Sequence, residues 1–422
     1  GLREVFVWNE LAGTGSWSYA PLGYKRNEAL FGNDDTNCAQ TPPVVNTRDY
    51  PRMFVTTKGL WMYVDGTLSP GAPSPKPLTS FFLPLTPNIA NLPICSAPGT
   101  ESLRWLTGRT SAANVEHAGG NAVHLICRDD VFQGTIKEVV YLMAGTYHFQ
   151  DDGVCPDAGV PVTDVVEKMV SPHWDDPAAP TLGSWDDVGA ADLKRSRVNA
   201  NAVVLLDGSI VEVGGTGKNA AGVCVPRKTA ERYRPPEVFE ELQGLTASQN
   251  PWVLMCTQLP VQQYHSVSLL LPDGSVLTGG GTYDGEGYPA ADARRKIEIY
   301  KPPYFFKTPR PIIVGIDTPF GGGAVQPFAT LVTVTVRSRP GVGPKRLALL
   351  GSGSVTHAGD MNQRYVELQT MNEVQLNANT WDVTVQWPDD GFVAQPGWYL
   401  LTVVDDLDIP SVAKWVQVTP LP

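Results

Sequence analysis

One pattern recurs four times along this chain and restricts its fold more than any other feature. An apolar run leads into a tight polar turn, a second apolar run follows, and one or two glycines close the unit. It reads MFVTTKGLWMYVDG over 53–66, AVHLICRDDVFQGTIKEVVYLMAG over 122–145, AVVLLDGSIVEVGG over 202–215 and VSLLLPDGSVLTGG over 267–280. The closing glycines Gly66, Gly145, Gly215 and Gly280 stand 79, 70 and 65 residues apart. Asp207-Gly208 and Asp273-Gly274 are favoured hairpin dipeptides, because both central residues of a type I′ turn need positive φ. Each unit therefore starts with a β-hairpin. The 41 glycines and 37 prolines of the 422 residues fit a chain of many turns and few helices.

Near-continuous Val/Leu runs, rather than strict alternation, suit strands covered on both faces, as in a propeller blade stacked between two others. The spacing exceeds the roughly 50 residues of a kelch repeat and suits kelch repeats with loop insertions. Segments such as KTAERYRPP (228–236), RKIEIYKPP (295–303) and REVFVWNELAGTGSWSYAP (3–21) alternate and then break at proline, which predicts outer blade strands. The last of these has no inner hairpin before it. The expectation is a chain that begins inside a blade, with the remaining blades of a seven-bladed ring supplied by an N-terminal fragment or a second chain. After about Arg310 short strand-like runs follow at 8 to 15-residue spacing, the pattern of a β-sandwich. The predicted fold is all-β: a kelch-type β-propeller over 1–309, partial in this chain, then an immunoglobulin-like β-sandwich over 310–422.

Composition narrows the function classes. A net charge of −11 without any Lys/Arg cluster argues against a nucleic-acid partner. No run approaches the roughly 18 apolar residues that span a bilayer. The sequence opens on Gly1 without a basic-then-apolar leader, as expected of a processed chain or a fragment. Six cysteines (Cys38, Cys95, Cys127, Cys155, Cys224, Cys256) lack any C-x-x-C spacing, leaving disulfides in an oxidising compartment and buried free thiols both open.

Three stretches carry candidate chemistry. Tyr264-His265 stands immediately before an apolar run, and His357 lies in the Gly/Ser-rich stretch GSGSVTHAGDMNQR (351–364). Adjacent strand residues point to opposite faces, so Tyr264 and His265 can serve one metal only at an irregular strand end. The glycine-rich stretch 212–219 superficially suggests a phosphate loop, but its first glycine position holds Glu212 and its Ser/Thr position holds Asn219, so it reads as a blade turn. The acidic stretches 173–177 and 184–188 lack the ordered oxygen spacing of a calcium loop. His117, His124, His148 and His173 carry no pattern.

Together QYHSVSLLLPDGSVLTGGG (263–281), SVTHAGDMNQR (354–364) and the tail AQPGWYLLTVVDDLDIPSVAKWVQV resemble the galactose oxidase and glyoxal oxidase family of copper radical oxidases. The resemblance implies one copper ion, with His265 and His357 as imidazole ligands and Tyr264 as the axial tyrosine that takes the substrate proton. It implies oxidation of a primary alcohol or aldehyde by O2, with hydrogen peroxide as product, and an extracellular or secreted setting. The family's radical cofactor, a tyrosine thioether-linked to a cysteine, matches no position here and is expected from an upstream segment. The alternative is a non-catalytic extracellular propeller, a binding or structural module of a wall, matrix or surface assembly.

Overall fold

The computed structural model describes residues 7–9, 16–18, 52–57, 59–64, 79–84, 117, 119–129, 135–146, 160–170, 185–186, 191–281, 296–317, 325–357 and 359–420. The chain divides into two compact units, Gly1–Asn114 with His173–Leu182, and Val115–Pro172 with Gly183–Pro422. The first unit contains a β1 (Val7–Asn9) and β2 (Ser16–Ser18) pair. It also contains a meander of β3 (Arg52–Val55), β4 (Gly59–Val64) and β5 (Thr79–Pro84). The first sequence repeat is thus an antiparallel hairpin with a third strand added.

The second unit begins with β6 (Asn121–Asp129), β7 (Thr135–Met143), β8 (Val166–Val170) and β9 (Trp185–Asp186), paired in sequence order. The next blade holds β10 (Val198–Val204), β11 (Ile210–Lys218), β12 (Cys224–Pro226), β13 (Thr229–Tyr233) and β14 (Val253–Thr257). It is followed by β15 (Ser266–Leu270), β16 (Val276–Gly280) and β17 (Ile297–Tyr300). All four repeats form hairpins, and the Pro-terminated segments 228–236 and 295–303 form strands beside two of them, β13 on β11 and β17 on β16, while 3–21 contributes the separate β1–β2 pair. β10 is buried along its whole length, as continuous apolar runs require when both faces are covered.

The Asp-Gly turns are built alike. Asp207 Oδ1 accepts from the Ser209 amide (3.0 Å) and hydroxyl (2.6 Å), and Asp273 Oδ1 does the same for Ser275 (2.9 and 2.6 Å). Gly208 and Gly274 carry φ of 84° and 86°, where a side chain would be strained.

Beyond residue 310 run β18 (Ile312–Asp317), β19 (Val325–Pro327), β20 (Leu331–Arg337), β21 (Pro344–Gly351), β22 (Arg364–Glu367), β23 (Gln369–Asn377), β24 (Thr380–Gln386), β25 (Gly397–Asp405) and β26 (Lys414–Thr419). One sheet has the order β18-β20-β24-β23, and the facing one contains β19-β26-β25-β21-β22. Alternate residues Val332, Val334 and Val336 on β20 and Trp381, Val383 and Val385 on β24 pack against Leu347, Leu349, Leu401, Val403, Val416 and Val418 of the facing sheet. This is a β-sandwich core, one face of each strand inward.

The facing sheet does not stop at β22. That strand pairs in parallel with β6, with Arg364, Tyr365 and Val366 opposite His124, Leu125 and Ile126, which joins the β6–β9 blade to the sandwich in one nine-stranded sheet. Its second face is buried as well: Ala348, Leu350, Tyr365 and Leu400 belong to the cluster that holds Leu125, Tyr141, Leu206 and Trp252 of the blades. The sandwich therefore has two cores. That double packing brings the β21–β22 connection, with His357 in it, against the blade strands.

Candidate metal centre

Tyr264 and His265 form the centre of a turn that ends where β15 begins. The Ser266 amide donates to Gln263 O (2.9 Å), and His265 holds φ at 65°. The turn is fixed from below by two buried glutamines. Gln262 O accepts from the Gly215 amide (2.7 Å), its Oε1 accepts from Gln258 Nε2 (2.8 Å) and from the Thr278 hydroxyl, and Gln263 Nε2 donates to Thr216 Oγ1 (2.6 Å). Asn201 Nδ2 reaches across from β10 to Ser266 Oγ at 2.8 Å. Gly281, which receives the Gln263 amide at 3.0 Å, has room for no side chain, since a Cβ there would lie 2.2 Å from Ser266 N. The preceding blade thus sets the position of the Tyr264-His265 turn.

His357 arrives on a different construction. Thr356 and Gly359 exchange both backbone hydrogen bonds (2.9 and 2.8 Å), so His357 opens a two-residue hairpin loop, where primed turns demand positive φ; it holds 51°. The base of the loop is organised by Asp360, whose Oδ1 accepts from the amides of Ser354 (3.0 Å), Asn362 (3.1 Å) and Gln363 (3.1 Å). Burial pushes the Asp360 carboxyl above its ordinary range, and those three amides oppose the rise. Gly353 must remain glycine-sized, because a Cβ there would sit 2.5 Å from Asp360 Oδ2 and 3.1 Å from Leu269 of β15. The side-chain amide of Gln363 then pairs with β10 as a strand would, donating to Ala202 O and accepting from the Val204 amide, each at 2.9 Å.

The two devices bring all three sequence candidates together. His265 Nε2 and His357 Nε2 lie 2.8 Å apart, with ring centroids at 4.5 Å and planes at 80°. The Tyr264 ring stacks on His265 at 3.8 Å and 29° and lies 5.6 Å from His357. Thr356 Oγ1 is 2.7 Å from His357 Nδ1. That contact leaves Nε2 as the nitrogen facing its counterpart, the tautomer-fixing arrangement of metal-bound histidines. His265 is exposed and Tyr264 and His357 half-buried, so the site is open to solvent.

At 2.8 Å the two Nε2 atoms are within hydrogen-bond distance of each other, and with each ring protonated on Nδ1 both would present a lone pair to one shared cation. Nitrogens each about 2.0 Å from one ion and at right angles to each other stand about 2.8 Å apart, whereas tetrahedral ligands stand about 3.3 Å apart. The spacing here matches the tetragonal case, and two imidazoles with a phenol oxygen nearby form a donor set that favours copper(II) over the hard cations. Among the described residues no group of three or more His, Cys, Asp or Glu side chains converges, and the two imidazoles with the tyrosine are the candidate donors.

The remaining sequence features fall elsewhere. His117 Nε2 lies 3.0 Å from Glu167 and His124 Nε2 2.6 Å from Glu138, both pairs buried inside blades. Glu212 to Lys218 form part of β11, a blade strand and not a phosphate loop. Cys224 is disulfide-bonded, and Cys127 and Cys256 are free thiols. Cys38, Cys95, Cys155, His148, His173 and the acidic stretches 173–177 and 184–188, Trp185–Asp186 apart, lie outside the described residues. Gln262, Gln263, Asp360 and Gln363 were invisible to motif reasoning. The usable signal was the repeat itself, in which polar residues at apolar positions mark where one blade grips the next.

Comparison with known proteins places the fold. Residues 310–418 match the family described as Galactose oxidase-like, Early set domain. A galactose oxidase of Gibberella zeae is 26% identical over 315 residues, covering 73% of this chain and 40% of that protein. An aldehyde oxidase of Arabidopsis thaliana is 28% identical over 234 residues, covering 53% of this chain and 36% of that protein. The chain therefore spans about 40% or less of the length of these relatives. A fungal alcohol oxidase solved in complex with copper is similar in fold, with a TM-score of 0.63 at 18% identity, covering 99% of this chain and 71% of that one.

Proposed function

We propose that this chain, which belongs to the galactose oxidase and glyoxal oxidase family, forms the copper-holding part of an oxidase acting on a primary alcohol or aldehyde. For an alcohol the overall change is RCH2OH + O2 to RCHO + H2O2. The observation that carries the reading is the 2.8 Å approach of His265 and His357, two imidazoles supplied by separate constructions 92 residues apart in sequence, beneath the Tyr264 ring.

His265 and His357 would hold the ion through Nε2, and copper bound there supplies a one-electron redox couple and the positive charge that ionises a nearby phenol. Thr356 keeps the His357 proton on Nδ1 by accepting it as a hydrogen bond. Tyr264 takes the proton of the substrate hydroxyl at its phenol oxygen. Its ordinary pKa near 10 makes an isolated phenol a poor base at neutral pH, so the role depends on the adjacent charge. The exposed His265 edge leaves the approach open to a small substrate.

A two-electron oxidation needs a second redox group. We place the cysteinyl-tyrosine radical of the family in a part of the protein beyond this sequence, in line with the 40% coverage of the galactose oxidase relative. The Cys224 disulfide supports an oxidising, secreted setting.

The test pairs copper analysis with peroxide release on a panel of primary alcohols and small aldehydes, using the protein with its upstream blades. Wild type is expected to contain one copper and to release peroxide, while Tyr264→Phe keeps copper and fold and releases none. A copper-loaded wild type that makes no peroxide on any member of the panel would favour the non-catalytic propeller.

A further inference from the structure

The sandwich sheet that carries the His357 connection turns one face to the blades, and their cover stops partway across it. By alternation, that face holds Trp398, Leu400 and Thr402 on β25, and Ala413, Trp415 and Gln417 on and just before β26. Val325 of β19 stands opposite Gln417. Leu400, Thr402 and Ala413 are buried, Leu400 and Ala413 in the core shared with the blades. Two residues further along the same strands, Trp398 is 50% exposed and Trp415 44%, and Val325 is 52% exposed. Leu400 pairs with Trp415 and Trp398 with Gln417, so the covered and open parts are one continuous surface. Tryptophan is highly buried on average, and two half-bare ones beside a valine on one sheet face mark a place that another body covers.

The covered part shows what kind of body that is. Two consecutive blades meet the sandwich with the turn of their first hairpin. At the Asp207-Gly208 turn Arg346 Nη2 of β21 donates to Asp207 O at 2.9 Å, and a Cβ on Gly208 would lie 3.2 Å from the Tyr365 ring of β22. At the Asp273-Gly274 turn the Ala413 amide donates to Pro272 O at 2.8 Å and Arg310 Nη1 to Asp273 O at 2.6 Å. From one blade to the next the docking point has moved from β21 and β22 to the start of β26, and Trp415 is two residues beyond Ala413 on that strand. We propose that Val325, Trp398 and Trp415 seat the blade that follows β15–β17 round the ring, supplied by the part of the protein beyond this sequence. The chain covers 40% of its galactose oxidase relative, so length for such a blade exists in a protein of that size. The seat asks for an apolar turn without a charge at its centre, as Leu206 provides beside Asp207, because an unpaired charge buried there is costly. This surface joins the copper-holding part to the remainder of the enzyme, and to that extent the inference rests on the proposed function.

Hydroxyl-radical footprinting read by peptide mass spectrometry compares this chain with the protein that includes its upstream blades. Met371 of β23, 52% exposed on the other sheet of the sandwich, is the internal standard. Oxidation of Trp398 and Trp415 relative to Met371 is expected to fall about tenfold in the longer protein, as water is excluded from the contact. Trp415→Glu should leave the melting temperature of this chain unchanged, and in the longer protein should return Trp398 oxidation to within about twofold of its rate in the chain alone. Trp415→Ser, which adds no charge, provides a second variant should the first disturb the fold. An unchanged ratio to Met371 would overturn the assignment. So would protection in this chain alone that grows with its concentration, which gives the face to a second copy, or protection that arises only on adding a soluble oligosaccharide, which gives it to a glycan. The footprint needs neither copper nor turnover. Protection without peroxide release upholds the interface while counting against the oxidase, and peroxide release without protection does the reverse.

Discussion

Asn199 and His265 occupy the same place in consecutive blades. Each lies eight residues before the aspartate of an Asp-Gly-Ser turn, Asp207 in one and Asp273 in the other, and each holds a positive φ, 56° and 65°. Eight residues after those aspartates stand Gly215 and Gly281, with φ of 88° and 70° and no room for a Cβ in either case. The backbone device at the mouth of the first strand is therefore a property of the blade. Asn and His are both among the residues that tolerate this conformation. What separates the two blades is the side chain placed on it, an amide in one and an imidazole facing His357 in the other.

Their interiors diverge too. Where the earlier blade has Arg197, Glu212 and Glu231, the later one has Gln263, Thr278 and Glu298. Arg197 pairs with Glu231 and donates to Gly214 O (3.1 Å) and Thr229 O (3.2 Å), all within the interior. Gln263 does the neutral equivalent through Thr216. One blade is held by buried charges, the next by amides and hydroxyls, on the same backbone.

The sharpest way to separate backbone from chemistry is His265→Asn, which installs the side chain the earlier blade already uses. Copper affinity should fall by more than about 100-fold, since loss of a ligand exceeds the 10–100-fold effect of losing a ligand's supporting partner. The melting temperature of the copper-free protein should hardly move, and a large drop would show that the imidazole is structural. Copper titration and thermal melts read the two outcomes.

The charged interior predicts a pH dependence that the amide blade lacks. Burial pushes the Glu212 carboxyl from 4.5 to about 8, against the pull of Arg197 and the Asn121 amide. Below about pH 4.5 folded and unfolded states both carry the proton. Between there and about pH 8 the unfolded chain has released it while the fold retains it, so stability declines as pH rises, by up to about 1.4 kcal/mol per pH unit, and levels off above. Glu212→Gln should flatten that slope in denaturant melts at pH 5 to 8, and a slope unchanged by the substitution would break the assignment.

If the blades are equivalent, Gly215→Ala and Gly281→Ala should destabilise alike, each by about 2–3 kcal/mol from crowding and strained φ together. Gly222→Ala, at φ 76° in open space, should cost about 1 kcal/mol. Chemical denaturation of the three variants compares them directly. A smaller effect is expected at the second imidazole: Thr356→Val should weaken copper about tenfold by releasing His357 Nδ1, and Thr356→Ser should restore it. Equal affinities for Val and Ser would remove the positioning role.

Much of this architecture was legible because it is local. Asp-Gly turns, apolar runs and closing prolines specify hairpins over a dozen residues, and all four repeats became hairpins. The parallel pairing of β22 with β6 was not legible, since side-chain periodicity says which face is buried and nothing about which distant edge completes a sheet. The same limit applies to the site. Tyr264, His265 and His357 were named from family resemblance, but the amides that position them, Gln262, Gln263 and Gln363, look in sequence like ordinary polar residues. Their role exists only once β10 and the sandwich connection lie side by side.

The claim on which the rest depends is that one copper ion is held by both imidazoles. Pulsed electron paramagnetic resonance on the copper(II) protein counts coordinated imidazoles through the hyperfine signal of their remote nitrogens. The account predicts two in wild type, one in His265→Asn and one in His357→Ala, with the spectrum of each variant otherwise that of a bound copper. A wild-type count of two that neither substitution changes would place the copper elsewhere in the protein and contradict it.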